Sequence, residues 1–320
     1  YVANYNMKYS FLYLLLYLSN LSFGQVKYAQ VFDDLLVRDM KATEEHYLLH
    51  LDHLEGNKLE KYIINCDRTY CKEGLAFMNS AFEYEWIFVP KIGGITDFWE
   101  DADHIYILNT QRTNSRINSS AKLFLLELDK KGQLISTEKI DEVDFDKPNG
   151  SIDAKFDKNG LIWKITDLPR SLKSDYSKSR PGAPGNSYVI EALTLNLEKK
   201  ATYNIYGKYL YFEAFDSKLG ESSFIFSADS TYINDEFVRG DNFYSTNIPS
   251  TLLLKFNYRG ELITSKYVGS GSCWIENIKY QKDNLIIGGS YSGNDSISEL
   301  PDCYLLGTHL RTPISYTGAY

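Results

Sequence analysis

The sequence of 320 residues has little sulfur and little proline: 4 Cys, 3 Met and 8 Pro, with only 5 His. Four cysteines permit two disulfides at most, which excludes a fold held mainly by a dense disulfide framework. Basic charge is not in excess, since 34 Lys and Arg stand against 42 Asp and Glu for a formal charge of -8. That balance excludes a broad electrostatic attraction to nucleic acid or anionic lipid. No apolar run reaches the length of a comfortable transmembrane helix. The sequence also lacks a G-x-S-x-G elbow, a phosphate-binding glycine loop, and Cys and His at the spacing of a known catalytic family. "GSGS" at 269–272 is followed by neither lysine nor helix and reads as a turn between strands.

What is present favours β-structure. Tyr (26) and Phe (17) are abundant within a hydrophobic content of 43%, and aromatic side chains suit pleated, half-buried surfaces. Near the start, Met7 and Lys8 precede an apolar run from Phe11 to Leu18, with Ser22 and Gly24 before Gln25. A basic end, a short apolar segment and a small-x-small exit are the marks of a secretory signal. The expectation is an upstream flank at 1–6, a signal peptide at 7–24 and a mature chain from Gln25. The exported protein would then sit at the cell surface, in the periplasm or outside the cell.

The body of the chain repeats itself. "FLLELDKKGQLI" (124–135) and "LLLKFNYRGELI" (252–263) match with Leu125, Leu126, Gly132, Leu134 and Ile135 on Leu253, Leu254, Gly260, Leu262 and Ile263. The same hairpin is read in "YLLHLDHLEGNKLEKYII" (47–64) and "VIEALTLNLEKKATYNI" (189–205), and is begun in "CYLLGTHL" (303–310). Asp52, Asp129, Asn196, Asn257 and His309 are taken as equivalent. A second hairpin alternates with the first: "ITDFWEDADHIYIL", "SIDAKFDKNGLIWKI", "YFEAFDSKLGESSFIF" and "WIENIKYQKDNLIIGG", with "YAQVFDDLLV" (28–37) as a first copy. Two hairpins per unit give four strands, the size of a propeller blade. The fold class is therefore all-β: a β-propeller of four-stranded blades, about five present and the last incomplete. The blades fall near 26–64, 95–140, 150–205, 211–268 and 274–310, with an irregular tail at 311–320. No amphipathic helix is evident.

The pattern in "LLLKFNYRGELITSKYVGSGS" and "IENIKYQKDNLIIGGSYSG" resembles the secreted bacterial β-propeller repeat proteins of the NHL-like and SBBP-like kind. The resemblance implies a propeller over most of 26–310 and export, and says little about activity. A blade begun but unfinished is read as part of a larger propeller, the alternative being a five-bladed ring closed by 26–40.

In such blades the connections after the second and fourth strands share one face. Those after the second strand are long here (109–121, 166–187, 227–250 and 290–302), whereas turns on the opposite face, such as "DKNG" and "NYRG", are tight. Loops on a rigid scaffold carry function disproportionately. The candidate binding face therefore holds Arg112 and Arg116, then Arg170, Lys173, Lys178 and Arg180, then Tyr232, Asp235, Phe243 and Tyr244. Segregated charges of this kind also occur on solvated loops without any ligand.

A second candidate lies in the innermost strands, where Asp97, Asp153, Glu213 and Glu276 align, with Gln30 in the first unit. Equivalent positions would aim them around the central channel. Three roles are open: accepting backbone N–H bonds from the neighbouring blade, holding a hard cation such as Ca²⁺, or supplying an acid and base for glycoside cleavage. His46, His50 and His53 lie on a strand and do not form a zinc site. The closely spaced Cys66 and Cys71 are the natural disulfide pair. Cys273 and Cys303 open the first and third strands of one blade, about 9 to 10 Å apart and beyond disulfide reach. The main functional expectation is a non-catalytic binding or scaffold module for a protein or glycan, without a cofactor. The alternative is a carbohydrate-active hydrolase using the inner carboxylates.

Overall fold

The computed structural model describes residues 36–43, 45–52, 54, 61–64, 73–91, 93–114, 119–145, 151–167, 186–208, 210–228, 230–238, 250–269, 273–281, 284–291 and 318–319. The chain is an all-β propeller whose sheets are antiparallel, apart from one short parallel pairing at the edge of the first. Blade 1 contains β1 (Leu36–Ala42), β2 (His46–Asp52), β3 (Ile63–Ile64), β4 (Glu73–Asn79) and β5 (Tyr84–Phe88), in the order β1-β2-β4-β5-β3. Blade 2 is β6 (Gly94–Glu100), β7 (His104–Asn114), β8 (Ser119–Asp129) and β9 (Leu134–Phe145). Blade 3 starts with β10 (Ile152–Phe156), β11 (Ile162–Asp167), β12 (Asn186–Leu193) and β13 (Lys199–Lys208). Blade 4 is β14 (Tyr211–Lys218) and β15 (Glu221–Ala228), then, after a hairpin of β16 (Ser230–Ile233) and β17 (Glu236–Val238), β18 (Ser250–Asn257) and β19 (Leu262–Gly269). A fifth sheet holds β20 (Cys273–Gln281), β21 (Asn284–Tyr291) and β22 (Gly318–Ala319).

Period-two alternation, as in the buried–partial–buried pattern of Ile152–Phe156, gives each sheet two apolar faces, and the cores form where blades stack. Between blades 1 and 2 lie Leu48, Leu75, Phe88, Phe98 and Ile107; between blades 2 and 3, Leu108, Leu123, Ala154, Phe156 and Ile162. The largest cluster joins blades 3 and 4, where fully buried Trp163 lies 5.1 Å from Phe224 and 4.8 Å from Phe256, ring centre to ring centre. Burying each such ring contributes about 1.5–3 kcal/mol. Ile225, Leu253 and Ile278 continue the series toward the fifth sheet. The other face of blade 1 is covered by its own chain, with Leu54 buried and Tyr62 and Ile63 packed against Leu49, Met78 and Tyr84.

One turn recurs on the side where the first strand meets the second and the third meets the fourth. In "DKKG" the Asp129 carboxylate accepts the N–H groups of Lys131 and Gln133 at 2.9 and 2.8 Å, while Gly132 takes φ = +77°. Asp157 does the same before Gly160, and Asn257 before Gly260. Asn79 caps Ala81 and Glu83 with Phe82 at φ = +62° in the left-handed position, and Thr194 caps Glu198 with Leu197 at φ = +59°. A short polar acceptor with a left-handed residue three places on is the chemistry that makes these hairpins.

Several sequence expectations shift accordingly. The segment 47–64 is not the outer hairpin of blade 1: His46–Asp52 pairs with β1 on one side and β4 on the other, as a second strand. The outer hairpin is β4–β5, whose turn has no glycine to announce it. In blade 3 the turn acceptor is Thr194, not Asn196. The supposed loop 109–121 is largely strand, paired from His104↔Asp129 out to Asn114↔Ser119. Within 227–250, β16 and β17 extend the outer edge of blade 3, β16 pairing with β13. The signal-peptide region, Cys66, Cys71, Cys303 and His53 lie outside the described residues. Cys273 does open the first strand of its sheet. No helix among the described residues is long and apolar enough to cross a membrane.

Candidate functional site

The inner strands are positioned by bulges. In β6 the pairing skips Thr96, in β14 it skips Glu213, and in β20 it skips Glu276, while β10 pairs without interruption. Glu213 and Glu276 are thus the bulged residues themselves, whereas Asp97 follows the bulge, as does Asp39 in β1. A one-residue slip along a strand sends a side chain to the opposite face. The four carboxylates therefore do not hold equivalent positions along their strands, and the residue that follows the bulge in blade 1 as Asp97 does in blade 2 is Asp39; Gln30 lies outside the described residues.

Their surroundings differ as well. Asp97 is buried, and its carboxylate accepts the N–H of Phe98 at 2.8 Å, that of Phe156 in blade 3 at 2.7 Å, and Lys41 Nζ of blade 1 at 3.1 Å. It ties three blades together through hydrogen bonds to its charged form. Asp153 accepts the N–H of Ala154 at 2.8 Å. Among the described residues no group of three His, Cys, Asp or Glu side chains comes together in a way that could hold a metal ion. For Glu276 only the backbone is described.

Glu213 stands apart. It is exposed, at the start of β14, and its neighbours include Ser227 and Tyr188. Crowding by surrounding atoms pushes its carboxyl pKa above the ordinary value, opposed by a hydrogen bond from Ser227. Tyr188 is buried; burial raises its pKa first, with the charges of Asp167 and Glu213 adding to that. Two carboxylates, a buried phenol and a serine thus gather where blades 3 and 4 meet, beside the ends of β11 and β15 and the starts of β12 and β14. A raised folded-state pKa means that the folded form binds the proton more tightly, so ionised Glu213 costs stability at neutral pH. Glu213→Gln should raise the melting temperature at neutral pH, and the gain should fade as the pH falls through the carboxyl range. Melting curves across that range provide the check.

The long-loop residues are distributed unevenly. Arg112 is exposed on β7, opposite Ala121. Tyr232 and Asp235 belong to the β16–β17 hairpin and are tied to blade 3: half-buried Tyr232 stacks on Tyr206 at 5.0 Å, and exposed Asp235 accepts the Tyr206 hydroxyl at 2.7 Å. Asn234 and Asp235, both with positive φ, form the tight turn. Thr231 and Tyr267 hydroxyls, 3.0 Å apart, anchor the hairpin to blade 4. Arg116, Arg170, Lys173, Lys178, Arg180, Phe243 and Tyr244 lie outside the described residues.

Sequence reasoning missed the polar clamps between blades. Glu73 accepts the N–H of Ile95 at 2.5 Å and lies 2.7 Å from His50 Nε2. His46 Nε2 meets both Glu100 oxygens at 2.9 and 3.0 Å, and Lys130 joins the same carboxylate at 3.1 Å. Asp157 accepts Trp163 Nε1 and the Ser222 hydroxyl, and Asp216 accepts the N–H of Tyr280 at 2.5 Å. Only Asp157, opening "DKNG", carried a local signal.

No family model matches the sequence, and no curated protein does. Among solved structures the chain is similar to an exo-β-1,3-galactanase from Phanerochaete chrysosporium determined with β-1,3-galactotriose, at 8% identity and a TM-score of 0.31. The match covers 79% of this chain and spans 56% of that protein.

Proposed function

We propose that the chain is an exported β-propeller serving as a non-catalytic binding or scaffold module for a protein or glycan, through the face bearing its long connections. The observation that carries this reading is the commitment of the buried inner carboxylate: Asp97 is spent on three blades at once, which removes it as an acid or base. The connections between β11 and β12 and between β17 and β18, by contrast, are long, at 168–185 and 239–249. Export rests on the N-terminal sequence pattern.

A second reading, a carbohydrate-active hydrolase, is favoured by one observation, the raised carboxyl pKa of Glu213 beside Tyr188. One experiment separates the two. The purified chain is screened on oligosaccharide and protein arrays while reducing-sugar release is measured on the matching polysaccharides. The binding reading expects saturable retention with no release. Release that disappears in Glu213→Gln would replace it with the hydrolase, and the absence of any retained ligand would remove it.

A further inference from the structure

The face of tight turns is less bare than its short loops imply. Exposed large apolar side chains gather there: Leu134 and Ile135 beside the outer turn of blade 2, Tyr258 and Ile263 at that of blade 4, and Leu219 in the inner turn of blade 4. Leu219 is 77% exposed, and a Cβ built on the adjacent Gly220 meets nothing within 4 Å. The leucine therefore stands on a free tip. Tyr258 is 53% exposed at a second tip.

The charge there runs against that of the chain. Around these tips in blades 3 and 4 stand Lys158, Lys200, Lys218 and Arg259, against the acidic Glu198, Glu221 and Glu261, of which Glu221 is bound to Lys255 at 2.7 Å. The turns are neighbours: the N–H of Gly220 donates to Asn159 at 3.2 Å, the N–H of Lys158 donates to Ser217 at 3.0 Å, and Gly260 packs on Ala192 and Ala201. The cations are thus held in one sector by backbone contacts. Arg259 lies over the Tyr258 ring at 5.3 Å, and its Nε donates to the Tyr258 hydroxyl at 2.9 Å. Among the described residues, Lys200 meets the exposed Glu198, at 3.1 Å.

We infer that the tight-turn face of blades 3 and 4 is a docking surface for an anionic lipid bilayer, with Leu219 and Tyr258 entering the interface and Lys158, Lys200, Lys218 and Arg259 meeting the headgroups. The occupant follows from shape and charge together. A folded partner would need a cavity moulded to each projecting tip, whereas acyl chains close around any apolar tip pushed among them. Basic side chains near an anionic surface add about 1 kcal/mol each, and Tyr suits the boundary between headgroup and acyl chain. This surface lies at the other end of β11 and β12 from their long connection and does not depend on what that connection binds.

The test is sedimentation of the full chain with phosphatidylcholine vesicles, with and without phosphatidylglycerol. The expected result is co-sedimentation with the anionic vesicles alone, reversed by salt. Leu219→Ser should weaken it about tenfold, from the lost transfer of one leucine side chain, and Lys158→Glu with Arg259→Glu should abolish it. All these side chains are exposed, so unchanged melting curves show that each variant is folded. Three results would overturn the inference: no binding to anionic vesicles, equal binding to neutral ones, or binding that Leu219→Ser and the charge reversals leave intact. Retention on an acidic polysaccharide or protein with no vesicle binding counts equally against it.

Discussion

Gly132→Ala should destabilise the protein by about 2–4 kcal/mol, while Gly220→Ala should cost only about 1 kcal/mol. Both glycines occupy the left-handed region, at φ = +77° and +85°. The backbone penalty for a side chain is therefore common to both. What differs is the neighbourhood: a Cβ on Gly132 would fall 2.6 Å from the indole of Trp86, whereas one on Gly220 meets nothing within 4 Å. The indole is poorly placed to yield, because its Nε1 donates to Lys130 O at 3.1 Å within the same turn and its ring is packed against Phe77 at 5.5 Å. Thermal or urea unfolding of the two variants tests the contrast. Equal losses would mean that the close approach between blades 1 and 2 carries no energy of its own.

Lys164→Met should cost about 3–5 kcal/mol, the range for leaving buried charge without its partner. Lys164 is buried on β11, and its ammonium meets Asp141 of blade 2 and Glu191 of its own blade. Burial pushes the lysine pKa down, but the hydrogen bonds to Asp141 and Glu191 outweigh it and leave the pKa raised. Burial pushes Glu191 up, and the bonds from Lys164 and Lys199 reverse that to leave it lowered. The signs give opposite limits. The contribution of Glu191 is present above its unfolded-state pKa and lost as pH falls through its lower folded-state value; that of Lys164 is present below its unfolded-state pKa and lost as pH rises through its higher folded-state value. In Lys164→Met the acid-side loss should shrink, because Glu191 has less to lose. Adding Glu191→Met should recover part of the stability. A double variant no more stable than the single would show that packing, rather than the stranded carboxylate, sets the cost.

The sequence carried the fold to the extent that local chemistry repeats. The turns at Asp129, Asp157 and Asn257 were legible because an acceptor and a glycine stand at fixed spacing, and with them came the β-strand content, the two-hairpin unit and the propeller. The turns at Asn79 and Thr194 were not legible, because Phe82 and Leu197 take the left-handed position without glycine. That misplacement carried over to the first blade, whose second strand passed for its third. The inner carboxylates were found as residues and misjudged as a set, since a bulge shifts facing by one position and leaves no mark in composition. Asp97 did take the first of the three roles considered for it, accepting an N–H from the next blade. The clamp of His50 and Glu73 joins residues from two strands to an amide of the next blade, and no periodicity within one strand reveals such a meeting.

The turn glycines also give the ring a direction. Gly132 of blade 2 rests on Trp86 of blade 1, Gly160 of blade 3 on Trp99 of blade 2, and Gly260 of blade 4 on Ala192 and Ala201 of blade 3. Each support is older than what it supports by the order of synthesis. A blade leaving the ribosome finds the residues under its turn glycine already made, although the outer edge of blade 3 waits for β16 and β17 from within blade 4. Assembly can therefore proceed as a ratchet from the amino-terminal side, with little time for an unpaired sheet face to meet another chain.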